Sequence, residues 1–115
     1  MRVITAGVHR VLDFVTVVAF AIAPAVLGLT GFPATLAYLL AVVHLAMTIL
    51  TRFGAKSTSP LPLPMHGAVE GVVGVVLLAL PWLLGWVGTA RTFYVAAGAI
   101  ILIVWATSQY RAPTR

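Results

Sequence analysis

The sequence predicts an all-α fold, a four-helix transmembrane bundle made of two helical hairpins, and three observations predict it. First, 62% of the 115 residues are hydrophobic and only 8% are charged, against about 25% charge in a soluble domain. Second, the charges leave three long gaps: 38 residues from Phe14 to Thr51, 20 from Gly71 to Ala90 and 19 from Thr92 to Tyr110. A helix needs about 20 apolar residues to cross ~30 Å of hydrocarbon, so the first gap holds two spans and the others one each. Third, the unusual residues of the first half recur at a fixed interval in the second. The same composition excludes an ordinary water-soluble globule, a disordered tail and a nucleic-acid-binding module. Seven basic residues against two acidic ones give +5, but they are scattered and form no basic face. With no cysteine there is no disulfide framework, thiolate metal site or cysteine nucleophile.

The first helix is expected near residues 7–28. Arg2 and the apolar stretch behind it have the outline of a secretory signal, but Asp13 interrupts that stretch and the helix has a partner copy later in the chain. It is expected to remain as a span. Gly28-Leu29-Thr30-Gly31-Phe32-Pro33 supplies a turn, because glycine frees the backbone and proline cannot continue a helix. The second helix follows near 33–52. In the middle loop, 54–63, prolines 60 and 62 alternate with leucines, which predicts an extended, polyproline-like segment. Pro64 suits the first turn of a third helix near 64–85, where its missing N–H costs little. The fourth helix is placed near 90–110. An open sheet would leave unpaired backbone groups in lipid, and four strands cannot close a spanning barrel. The chain therefore reads as one membrane domain, 1–115, with repeat units at 7–53 and 64–110.

Orientation follows from the basic residues. Arg2, Arg10, Arg52, Lys56, Arg111 and Arg115 fall on the side of both termini and the middle loop, and only Arg91 falls opposite. Such a bias predicts that both termini face the cytoplasm, in the inner (plasma) membrane. Trp82, Trp86 and Phe32 are expected as anchors at the outer boundary, with Phe53, Trp105 and Tyr110 near the inner one.

Sliding the chain against itself by 57 residues brings His9 onto His66, Asp13 onto Glu70, Pro24 onto Pro81, Gly28 onto Gly85 and Gly31 onto Gly88. Thr35 meets Thr92, and Thr51 meets Ser108. Matches at His, acid, Pro and Gly are far less expected by chance than valine on valine, so an internal duplication of parallel hairpins is predicted. Pro24 and Pro81 each free a carbonyl one turn earlier, and the glycine four residues on, Gly28 or Gly85, stops the helix. This shapes a tight outer hairpin; the alternative is a broken helix lining a substrate path.

The run LALPWLLGW in helix 3, followed by one more span, resembles the SPW repeat of small bacterial membrane proteins, a two-helix unit with a Ser-Pro-Trp motif. Leu80-Pro81-Trp82 has Leu where that motif has Ser, and Ala23-Pro24-Ala25 keeps only the proline. The resemblance implies the two-helix unit and no particular activity.

His9, Asp13, His44, His66 and Glu70 are the polar side chains that stand out within the spans. Each acid lies four residues after a histidine, so His9–Asp13 and His66–Glu70 each share a helix face. Both acids are expected about 9 Å deep, and His44 about 12 Å from the inner end of helix 2. All five then meet at one level. Unpaired ionisable groups in hydrocarbon cost several kcal/mol, which predicts an inward-facing cluster. Three roles are open to it. The first is a structural network in which His66 donates to Asp13 and His9 to Glu70, with Arg10 neutralising an acid, each contact worth ~0.6–2 kcal/mol. The second is a proton or cation pathway. The third is a metal or haem site on His9, His44 and His66. Ile101 stands where a mate of His44 would be, which argues against two symmetric metal sites.

Gly67, Gly71 and Gly74 on helix 3, and Ala37, Ala41, His44 and Thr48 on helix 2, form small-residue stripes that are expected to serve mainly intramolecular packing. No phosphate loop, nucleophile elbow or zinc-protease motif is present, so neither enzyme activity nor a cofactor is expected. The leading expectation is a structural or accessory membrane protein whose partners are the lipid bilayer and a second copy or larger complex. The runner-up is a small proton- or cation-coupled transporter. In size and span number the chain resembles the small multidrug transporters, but its charge bias and its repeated acids depart from them.

Overall fold

The computed structural model describes residues 2–54 and 56–110; Arg111 and Arg115 of the charge count lie outside them. Four helices dominate: α1 Ala6–Leu27, α2 Gly31–Leu50, α3 Leu63–Leu83 and α4 Gly88–Thr107. Each is long and apolar enough to cross a membrane. Val11, Val15, Val18, Val42, Val72 and Ile103 all point outward and are more than half exposed. The interior holds His9, Asp13, Thr48, Thr51, His66, Glu70 and Ser108 instead. Soluble proteins avoid apolar exteriors on this scale; a bundle solvated by lipid turns its ionisable groups inward, as here.

The hairpin turns form where proline and glycine predict them. Thr5 caps α1, its hydroxyl accepting from the Val8 N–H at 3.3 Å, which satisfies one free donor of the first turn. At the other end the Pro24 carbonyl accepts from the N–H groups of Gly28 and Leu29, the latter at 3.0 Å. Gly28 takes φ 66° to allow this, a conformation that glycine adopts without a Cβ penalty. In α3 the Pro81 carbonyl accepts from Trp86 at 2.7 Å, and Gly85 has φ 69°. The two closures differ by a shift of 57 residues.

At the opposite end the helices stop earlier than predicted. The second ends at Leu50 rather than 52, and the fourth at Thr107 rather than 110. The cause is strand pairing. Thr51–Arg52 (β1) pairs in parallel with Leu61–Pro62 (β2), Thr51 opposite Leu61. Ile4 and Ser108 form an isolated parallel bridge, with Ile4 N–H donating to Thr107 O at 2.9 Å and Gln109 N–H to Ile4 O at 2.8 Å. Side chains repeat the pattern: Arg52 Nε donates to Ser59 O at 3.0 Å, and Gln109 Nε2 to Arg2 O at 3.3 Å. In each case the exit of one hairpin is tied to the entry of the other. Of the middle loop, 54–63, expected to be extended, Leu61–Pro62 is extended as a strand and Leu63 already opens α3.

Packing within hairpins is close, α1 on α2 and α3 on α4. The glycine stripe of α3 serves this contact. A Cβ on Gly67 would meet the Tyr110 ring at 2.7 Å, one on Gly71 would meet Trp105 at 3.0 Å, and one on Gly74 would meet Leu102 at 2.7 Å. The tightest backbone approach involves Gly98 on α4, where a Cβ would lie 2.9 Å from both Gly74 O and Leu78 N. Ala37 and Ala41 of α2 sit in the main core with Phe20, Leu77, Tyr94 and Ile101.

Three of the expected interface anchors also make packing contacts inside the bundle. Trp105 lies over Gly71. Trp86 is half-buried between Phe32 and Tyr94, at ring distances of 5.9 and 5.0 Å. Tyr110 turns inward to the polar cluster. Each ring packs beside a small residue or another ring. Trp82 is 60% exposed, with the Arg91 guanidinium 5.6 Å above its ring.

Candidate buried histidine–carboxylate centre

Helix spacing places the cluster. His9 and Asp13 occupy one face of α1, and His66 and Glu70 the matching face of α3, so the two pairs face each other across the bundle. The ligand atoms of these four residues lie within 4.8 Å of one another, and all four side chains are buried. His9 Nε2 is 3.0 Å from Glu70 Oε2 and 3.2 Å from Asp13 Oδ1. His66 Nε2 is 3.0 Å from Asp13 Oδ2 and 3.0 Å from Glu70 Oε1. Every histidine thus meets both its own helix's acid and its partner helix's acid. His44 completes the group from α2, with Nε2 at 3.2 Å from Asp13 Oδ1 and 3.8 Å from Glu70 Oε1. All five predicted residues therefore converge.

Arg10 does not join them. It is exposed, with its guanidinium 5.2 Å above the Phe14 ring. One residue beyond His9, it lies about 100° around the helix and leaves the inward face.

The other ring nitrogens are held by hydroxyls. Ser108 Oγ lies 2.7 Å from His9 Nδ1, and Thr51 Oγ1 lies 2.6 Å from His66 Nδ1. Each hydroxyl already donates its single hydrogen to a carbonyl one turn back, Ser108 to Val104 O and Thr51 to Met47 O. A hydroxyl has one hydrogen and two lone pairs, so each oxygen accepts here and each Nδ1 is the donor. Both imidazoles are thereby fixed with Nδ1–H outward and Nε2 toward the carboxylates. The early helix ends explain how this arises: Thr51 and Ser108 leave the helix, pair as strands and turn their hydroxyls inward.

Below the cluster Phe53 and Tyr110 form a floor with Ala6 and Leu63. The Phe53 ring stands 5.4 Å from His66, and the Tyr110 ring 5.3 Å from His9. The two differ by one hydroxyl: Tyr110 Oη donates to Glu70 Oε2 at 3.0 Å. Burial and the neighbouring Glu70 carboxylate push its phenol well above the ordinary tyrosine range. Above the cluster lies the apolar core, where Tyr94 donates to Pro33 O at 2.6 Å and links α4 to α2. Two small cavities of about 20 and 40 Å³ flank His44, and both are lined by Glu70 and Ile101. Each has room for about one water. The histidine rings stand edge to face, with centroids 5.5 Å apart between His9 and His66 and 6.2 Å between His44 and His66.

Thr51, Ser108 and Tyr110 are site residues that the sequence reasoning did not assign to the cluster. A signal for the first two was present, since the 57-residue shift aligns them with each other just as it aligns the histidines. No family model, curated protein or solved structure matches this chain.

Proposed function

We propose that the chain is a small multi-pass protein of the inner membrane, with a structural or accessory role, in which the buried cluster locks two duplicated hairpins into one register. One observation carries this reading: the histidine of each hairpin contacts the acid of the other and is hydrogen-bonded to the hydroxyl of the other. His9 of the first hairpin meets Glu70 and Ser108 of the second, and His66 of the second meets Asp13 and Thr51 of the first. Such reciprocal contacts fix both the distance and the vertical alignment of the halves, because sliding either one breaks all four. The six-to-one basic bias supports a topology with both termini in the cytoplasm. The Pro-Trp run and the two-span unit support kinship with SPW-type repeats.

The test is the pair Asp13→Asn and Glu70→Gln, made together, with unfolding followed in detergent and proton flux followed in liposomes. The proposal expects a large loss of thermal stability and no flux in the wild-type protein. Wild-type flux that disappears in a variant of unchanged stability would replace this reading with transport.

A further inference from the structure

We infer that the cluster is a binding site for one first-row divalent metal ion, held by His9 Nε2, His66 Nε2, Asp13 and Glu70, with His44 as the ligand on its α2 side. The inference rests on the reading of the cluster as the lock between hairpins and names what closes that lock.

Hydrogen-bond accounting leads to it. Since Nδ1 of His9 and of His66 each donates to a hydroxyl, a neutral ring has only a lone pair left at Nε2. That lone pair faces carboxylate oxygens, which are acceptors only when ionised. Lone pair against lone pair at 3.0 Å in a low-dielectric interior is repulsive, so a proton or a metal ion must lie between them. Either each imidazole–carboxylate contact holds a proton, on the ring or on the acid, or a metal ion takes that place.

Three features favour the metal. Each Nε2 is within 3.2 Å of oxygens from both acids, whereas one N–H can point well at only one of them. Asp13 Oδ2 is buried with no hydrogen-bond partner among the described residues: His66 Nε2 lies 3.0 Å away but off the bonding direction. The separations also fit, since ligands about 2.0–2.2 Å from one ion stand roughly 3–4 Å apart from each other. The hydroxyls then act as the outer partners that orient metal-bound imidazoles.

The donor set defines the ion. Imidazole nitrogen and carboxylate oxygen without thiolate suit Zn²⁺, Fe²⁺ or Mn²⁺ rather than a thiophilic ion. Two carboxylates and neutral imidazoles balance a charge of +2, which avoids leaving net charge in the bilayer. Taking up the ion from the doubly protonated state releases two protons, one from each imidazole–carboxylate contact.

The experiment uses the full chain, purified in detergent through a tag without histidines. Metal content is measured as isolated; the protein is then stripped with chelator and titrated with Zn²⁺, Mn²⁺ and Co²⁺. The expected result is about one ion per chain, a raised melting temperature, proton release on binding and, with Co²⁺, visible absorption bands of nitrogen–oxygen ligation. His44→Ile, which copies the residue at the matching position of α4, is expected to fold and to bind at least about tenfold more weakly. A folded wild-type protein that binds none of the three ions at millimolar concentration overturns the site. So does stoichiometric binding that is unchanged both in His44→Ile and in Asp13→Asn. Either result leaves the register lock standing if the double acid variant is still destabilised.

Discussion

His44 and Ile101 stand 57 residues apart at matching positions of α2 and α4, yet His44 reaches Asp13 at 3.2 Å while Ile101 packs in the apolar core. This pair, like Phe53 and Tyr110, breaks the correspondence of contacts between the hairpins. On the α2 side the carboxylates meet a third imidazole and on the α4 side the Ile101 side chain, and both water-sized spaces are lined by His44 and Ile101 together.

Removing the hydroxyls that orient the histidines should weaken the bundle. Ser108→Ala and Thr51→Val each strand an Nδ1 donor in a dry interior, with an expected cost of about 1–3 kcal/mol. Thr51→Ser, which keeps the oxygen, should restore most of it. Thermal unfolding in detergent reads the difference, and equal stability of Thr51→Val and wild type would show that the hydroxyl does not hold the ring.

Tyr110→Phe copies Phe53, its counterpart in the first hairpin. The ring fits, so only the hydrogen bond to Glu70 is lost, at about 1.5–3 kcal/mol for a charged acceptor. The sign with pH is also fixed. A phenol held above its ordinary value ionises more readily in the unfolded chain, so its contribution is intact below about pH 10 and declines above it. Stability measured from pH 8 to 11 should fall in the wild type and fall less in the variant.

Gly98→Ala should force α3 and α4 apart, because the new methyl meets backbone atoms that cannot rotate away. A loss of about 1–3 kcal/mol is expected for such overpacking. Gly7→Ala is the control, since nothing lies within 4 Å of a Cβ there.

Topology can be read with single cysteines, as the native chain has none. Val3→Cys and Ser57→Cys should be labelled from the cytoplasmic side by a membrane-impermeant maleimide, and Thr89→Cys from the opposite side. Labelling of Val3→Cys and Ser57→Cys on different faces would overturn the four-span arrangement.

The helix number and the five cluster residues are legible in the sequence because charge and histidine are rare in this chain. Where almost every residue is apolar, His9 followed four residues later by Asp13 stands out, and so does its copy at His66 and Glu70. The strand pairings are not legible. Two-residue elements such as Thr51–Arg52 carry no periodicity, and their partners at Leu61–Pro62 are fixed only once the helices are packed. The hydrogen bond of Tyr110 is illegible for a related reason. An aromatic residue at a helix end serves equally as a boundary anchor or as an inward donor, and the space over Gly67 decides between them. Gly98 carries no local signal at all, since its role depends on the backbone of α3.

The bridge between Ile4 and Ser108 does for α1 and α4 what β1 and β2 do for α2 and α3, so the four helices form a ring with two equivalent seams. A covalent connection spans one of these seams, between Gly54 and Pro60, and the hydrogen bonds are alike at both. Which seam carries the peptide link is then immaterial to the architecture. A circular permutant that runs α3, α4, α1, α2 would rebuild the same interior with the order of its halves exchanged.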